Sequence, residues 1–112
     1  MKSVYIAGAY TGKTREEEDR NVRAAAEVAA HYLKRGWVVF CPHTMTCMID
    51  REFNKDKVLD WSDWMHTAIY WLSKCDAVAF LPGWRESRGA TIEHMVSIVM
   101  GKEIIYLEVD KW

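Results

Sequence analysis

Leu81-Pro82-Gly83-Trp84-Arg85-Glu86-Ser87-Arg88-Gly89-Ala90-Thr91-Ile92-Glu93 follows an apolar run, residues 77–81, and leads into a segment with helical periodicity. The run reads as a buried strand and the segment as a helix, so the stretch is a strand-loop-helix junction. That reading decides the fold, because junctions of this kind alternate along an α/β chain and carry its chemistry. Ser87 is a good residue to cap a helix, and Gly89 lets a ligand approach the backbone. The free N–H groups at a helix start attract anions such as phosphate. At helical spacing Glu93 shares a face with Gly89, Val96 and Met100, so a carboxylate heads an otherwise apolar stripe.

Upstream, residues 3–9 form a short apolar run ending in Gly8 and Ala9, suited to a central parallel strand buried on both faces. Residues 10–19 are polar and predict a mobile loop at that strand's carboxyl end, able to close over a ligand. The spacing there argues against a phosphate-binding P-loop. Only three residues separate Gly8 from Gly12, and an acidic run follows Lys13 and Thr14 where the motif needs a helix. Val22, Ala25, Ala26, Ala29, Tyr32 and Leu33 make a helical stripe that stops at Gly36, with Asp19 or Asn21 as its cap. Residues 37–41 predict a second strand ended by Pro42, and residues 43–57 show no clean period and predict a loop roofing a pocket.

Asp60 and Asp63 suit the start of a further helix, on which Trp61, Trp64, Met65, Ala68, Trp71, Leu72 and Cys75 form one broad apolar face. Such a face predicts core or subunit contact in preference to a base-stacking surface. After the third strand, residues 77–81, the helix over residues 87–100 stops at Gly101, and residues 103–107 form the fourth strand. The expected fold is therefore α/β: a flavodoxin- or Rossmann-like three-layer sandwich, with a four-stranded parallel sheet in the order 2-1-3-4. The switch point of that order brings Tyr10 and the segment from Ser87 to Glu93 together.

The chain's 112 residues are 28% charged and 50% hydrophobic, which fits one domain that buries roughly two-thirds of its unfolded surface. A formal net charge of -1 argues against general affinity for nucleic acid or an anionic membrane. No apolar run approaches the length of a spanning helix, and the expected location is cytoplasmic. Cys41, Cys47 and Cys75 lack paired spacing and predict free thiols; His43 and Cys47 lack a second ligand pair for zinc, so no metal is expected.

Several segments together resemble the nucleoside 2-deoxyribosyltransferase-like superfamily, above all its small uncharacterised branch and its relatives that hydrolyse nucleoside 5'-monophosphates. They are Ile6-Ala-Gly-Ala-Tyr10-Thr-Gly, Asn21, Gly36-x-x-Val39-x-x-Pro42, Cys75-Asp-Ala-Val and Leu81-Pro-Gly-Trp-x-x-Ser87-x-Gly89-Ala90-x-x-Glu93. The resemblance implies that Glu93 attacks the anomeric carbon of a nucleotide, that Tyr10 orients it, and that no cofactor takes part. It also implies that Ser87 and Gly89, with the backbone of Gly8 and Ala9, hold the phosphate, and that the protein is a homodimer or larger assembly. Arg88 is a candidate phosphate cation and His43 a candidate pocket residue. One departure stands out. Ala68 occupies the position where members commonly carry an aspartate acting toward the leaving base. Asp63, His43, His66, water or a neighbouring subunit would then have to supply the proton.

Overall fold

The computed structural model describes residues 2–108. Four parallel strands, β1 (Ser3–Ala7), β2 (Val38–Phe40), β3 (Ala77–Phe80) and β4 (Glu103–Tyr106), form one sheet in the order β2-β1-β3-β4. This is the expected α/β topology. The helices are α1 (Arg15–Leu33), α2 (Pro42–Phe53), α3 (Trp61–Ser73) and α4 (Arg88–Val99), and a short 3-10 turn (Trp84–Glu86) precedes α4. Alternation along β1 divides the core. Val4 and Ile6 pack with Ala25, Val28 and Ala29 of α1 on one face, whereas Tyr5 and Ala7 pack with Ala68 and Leu72 of α3 and Ala90 of α4 on the other.

The alanines of α1 allow this close approach, and β1 and β3 are buried on both faces, as parallel central strands should be. At the amino end of the sheet, Asp76 clamps β1 to β3. Its carboxylate accepts from the Ser3 backbone N–H at 2.9 Å, while its own N–H donates to Ser3 Oγ at 3.0 Å. The carboxyl end stays open for the site.

Two segments differ from expectation. First, helix α1 begins at Arg15, inside the stretch expected to be a loop, and neither Asp19 nor Asn21 caps it. Thr14 is the cap, accepting from Glu17 N–H at 3.1 Å, and Glu16, Glu17 and Glu18 occupy the first turn, where the helix dipole favours negative charge. Asn21 instead donates to the Tyr10 carbonyl at 3.1 Å and ties down the end of the β1 loop. Secondly, residues 42–53 are helix α2. Pro42 is preorganised for the first helical position, which the expected loop reading overlooked.

The polarity of α2 is inverted, which masks its period in the sequence: His43, Thr46 and Asp50 line the cavity, whereas Met45, Met48, Ile49 and Phe53 are exposed. Buried Asn54 fastens the following loop by exchanging two hydrogen bonds with the Leu59 backbone, both at 2.9 Å. Arg51 and Asp19 join α2 to α1 as an ion pair at 2.8 Å, without hydrogen-bond alignment.

Candidate functional site

A cavity of ≈ 310 Å³ opens over the carboxyl ends of β1 and β3, where the strand order reverses. Its walls include every residue expected at the site: Gly8, Ala9, Tyr10, His43, Ser87, Arg88, Gly89 and Glu93. Each wall comes from a different element. The end of β1 lies in the middle, α2 approaches from the β2 side, and the start of α4 approaches from the β3 side.

At the β3 side, Ser87 caps α4 by accepting from Ala90 N–H at 3.2 Å. The N–H groups of Arg88 and Gly89, the first two of the helix, have no intrahelical acceptor and are directed out of the helix start. The Arg88 guanidinium lies 3.9 Å from the centre of the Trp61 ring, a cation–π contact at the rim. Gly89 faces Met65, and a methyl group added there would come within 3.2 Å of the Met65 sulfur. Gly8 is required by packing as well as by any ligand, because a Cβ there would lie 2.7 Å from Leu81 Cδ1.

Glu93 is 6% exposed and belongs to the second turn of α4. The helix dipole fades within the first turn, so burial prevails and raises its pKa to about 7, against a smaller lowering by the hydrogen bond that Tyr5 donates to Glu93 Oε2. Burial, with the neighbouring Glu93 charge second, raises the Tyr5 hydroxyl well above its ordinary range, so it stays a donor. Tyr5, and not Tyr10, is thus the phenol bonded to the carboxylate. Tyr10 donates to Asp50 Oδ2 at 3.3 Å, and its pKa is pushed up to about 12 by burial first and by Asp50 second.

The sequence carried a signal for Tyr5. A tyrosine in the middle of a strand buried on both faces must find a partner for its hydroxyl, and Glu93 is the one carboxylate among the described residues that is buried on that side. Asp50 and Thr46 escaped because α2 itself did. On the aromatic face of α3, Trp64, Met65 and Trp71 are half-buried and Trp61 is exposed; all four line the cavity together with buried Ala68, and Trp71 also packs against the core. Their large apolar surfaces flank a ligand-sized space.

His43 is buried, and its Nε2 lies 3.0 Å from the Ala9 carbonyl oxygen. A carbonyl only accepts, so Nε2 carries the proton; burial lowers the ring's pKa, outweighing the opposite pull of the backbone carbonyls of Ala9 and Gly8. Nδ1 is left buried without a hydrogen-bond partner. Among the described residues no group of three or more His, Cys, Asp or Glu side chains could hold a metal ion, and no helix is long and apolar enough to cross a membrane. Cys41, Cys47 and Cys75 are free thiols.

The geometry thus combines a buried carboxylate held by a phenol, an anion-ready helix start, an indole-rich wall and a polar wall from α2. The chain belongs to the family described as a domain of unknown function, DUF4406, whose model matches residues 2–106. No curated protein matches it.

Proposed function

We propose that the protein is a nucleoside 5'-monophosphate N-glycosidase related to the nucleoside 2-deoxyribosyltransferase-like superfamily, with Glu93 as its nucleophile. The observation that carries this reading is the Glu93 carboxylate, buried within a cavity wall, held by Tyr5 and reached from the start of α4. The phosphate would rest on the Arg88 and Gly89 N–H groups, the Ser87 hydroxyl and the Gly8–Ala9 backbone, with Arg88 as cation. The sugar would then lie over Glu93 and the base between the α3 indoles and α2.

In the first step a Glu93 oxygen bonds to C1' as the C1'–N bond breaks, the bonding pair leaving with the base, which takes up a proton from water. Water then attacks C1', the ester C–O bond breaks, Glu93 regains its charge and the water's spare proton is released. Tyr5 serves by holding the carboxylate in one orientation and by stabilising its ionised form. A pKa near 7 leaves a useful fraction of Glu93 ionised at neutral pH while keeping it poorly solvated and reactive. A deoxyribosyltransferase would use the same first step and pass the sugar to a second base.

The test is incubation with a panel of ribo- and deoxyribonucleoside 5'-monophosphates and their nucleosides, with chromatography for free base. Release from monophosphates in preference to nucleosides is expected, and Ser87→Ala should weaken that preference by about tenfold. Release from nucleosides alone contradicts the phosphate assignment. One observation favours a second reading, a nucleotide-binding module without turnover: buried Ala68 leaves a methyl group on the base-side wall. Tight binding with no base release from any member of the panel would select it.

The reading includes a cytoplasmic homodimer. Its support is the outward face of α4, where Met95, Ile98 and Val99 lie exposed at helical spacing.

A further inference from the structure

The walls at the two ends of the cavity have opposite hydrogen-bonding character. At the start of α4 the backbone presents donors. At α2, His43, Thr46 and Asp50 follow one another at i, i+3 and i+7 on the face that lines the cavity, and Thr46 and Asp50 are left as acceptors. His43 uses its only ring proton on the Ala9 carbonyl, and its Nδ1 is buried without a partner on a side chain only 4% exposed, so His43 shapes this wall. Thr46 spends its hydroxyl proton on the Pro42 carbonyl at 2.7 Å, leaving the oxygen's lone pairs. Asp50 accepts the Tyr10 hydroxyl's hydrogen bond on Oδ2, which leaves Oδ1 free to accept.

We infer that the α2 wall selects a ligand whose far end is a flat heterocycle carrying N–H donors on its edge, an exocyclic amino group above all. Resting on the nucleotide reading, this assigns the base specificity to Asp50, with His43 and Thr46 beside it. A carbonyl at the same edge would bring acceptor against acceptor and leave buried polar groups unpaired. A site built for a hydrogen bond rejects an analogue lacking the matching group far more strongly than an apolar pocket rejects an extra methylene. The indoles of Trp61, Trp64 and Trp71 supply faces for stacking and little discrimination among bases.

Calorimetric titration with matched nucleoside 5'-monophosphates tests this: cytosine against uracil, and adenine against hypoxanthine, each pair exchanging an exocyclic amino group for an oxo group with a proton on the adjacent ring nitrogen. The amino member of each pair should bind about tenfold or more tightly. In Asp50→Asn, whose amide can donate, the gap should close to within about threefold, and Asp50→Ala should lower affinity for the amino members while hardly affecting the oxo members. Equal affinities within the pairs, an oxo preference, or an unchanged gap in Asp50→Asn overturns the inference, as does failure of every nucleotide to bind. Selective binding without base release would sink the glycosidase reading and leave this one standing; base release without discrimination would do the reverse.

Discussion

Glu93 and Tyr5 form a coupled pair whose behaviour with pH follows from burial. The folded pKa of Glu93, about 7, lies above its ordinary value of 4.5, so the folded state favours the protonated form. Stability from this group is full below about pH 4.5, falls as the pH rises through the interval, and is lost above about 7. Glu93→Gln, which carries no charge, should therefore be more stable than wild type at pH 8, by on the order of 3 kcal/mol, and differ little from it at pH 4. Chemical denaturation at the two pH values checks this. Tyr5→Phe removes the donor that lowers the Glu93 pKa, so the rise of kcat/KM with pH should move to higher pH by about one unit or more. An unshifted profile would make Tyr5 a packing residue only.

At the scale of elements, the junctions that hold the site depend on two small residues. Gly8 ends β1 against Leu81, and Gly8→Ala should cost about 1–3 kcal/mol as the added methyl displaces that side chain, measurable by denaturant unfolding. Ser87→Ala should remove the α4 cap and cost about 1 kcal/mol in the same assay, in addition to its effect on phosphate preference. Most of this architecture was legible in the sequence. The strands are apolar runs with clear stops, and the Ser87 to Glu93 segment carries cap, glycine and carboxylate at spacings that only a helix start reconciles. The start of α1 was hidden because Thr14 and three glutamates look like loop polarity, although together they make a strong helix beginning. Helix α2 was hidden because its polar residues face inward, toward a cavity that sequence periodicity treats as solvent. Tyr10 entered through the family resemblance, and the hydrogen bond to Glu93 comes from Tyr5 instead. A residue in a loop looks available, whereas one inside a strand looks structural until the carboxylate opposite it is seen.

For the whole molecule, the exposed apolar residues of α4 argue for a second copy, with Val99 86% exposed beside Ile98 and Met95. Sedimentation of the wild type at micromolar concentration should show a dimer, and Ile98→Glu should shift it to monomer without loss of helical signal. A wild type that sediments as a monomer at high micromolar concentration contradicts the assembly. The central claim, that Glu93 is the nucleophile of an N-glycosidase, is tested most directly by comparing base release from nucleoside 5'-monophosphates by wild type and by Glu93→Gln, with binding of the same nucleotides measured in parallel. Base release by the wild type is expected, along with at least a thousandfold loss in the variant, on the order of 4 kcal/mol in the barrier, while nucleotide affinity changes by no more than about tenfold. Turnover by Glu93→Gln at a rate near that of the wild type would contradict it.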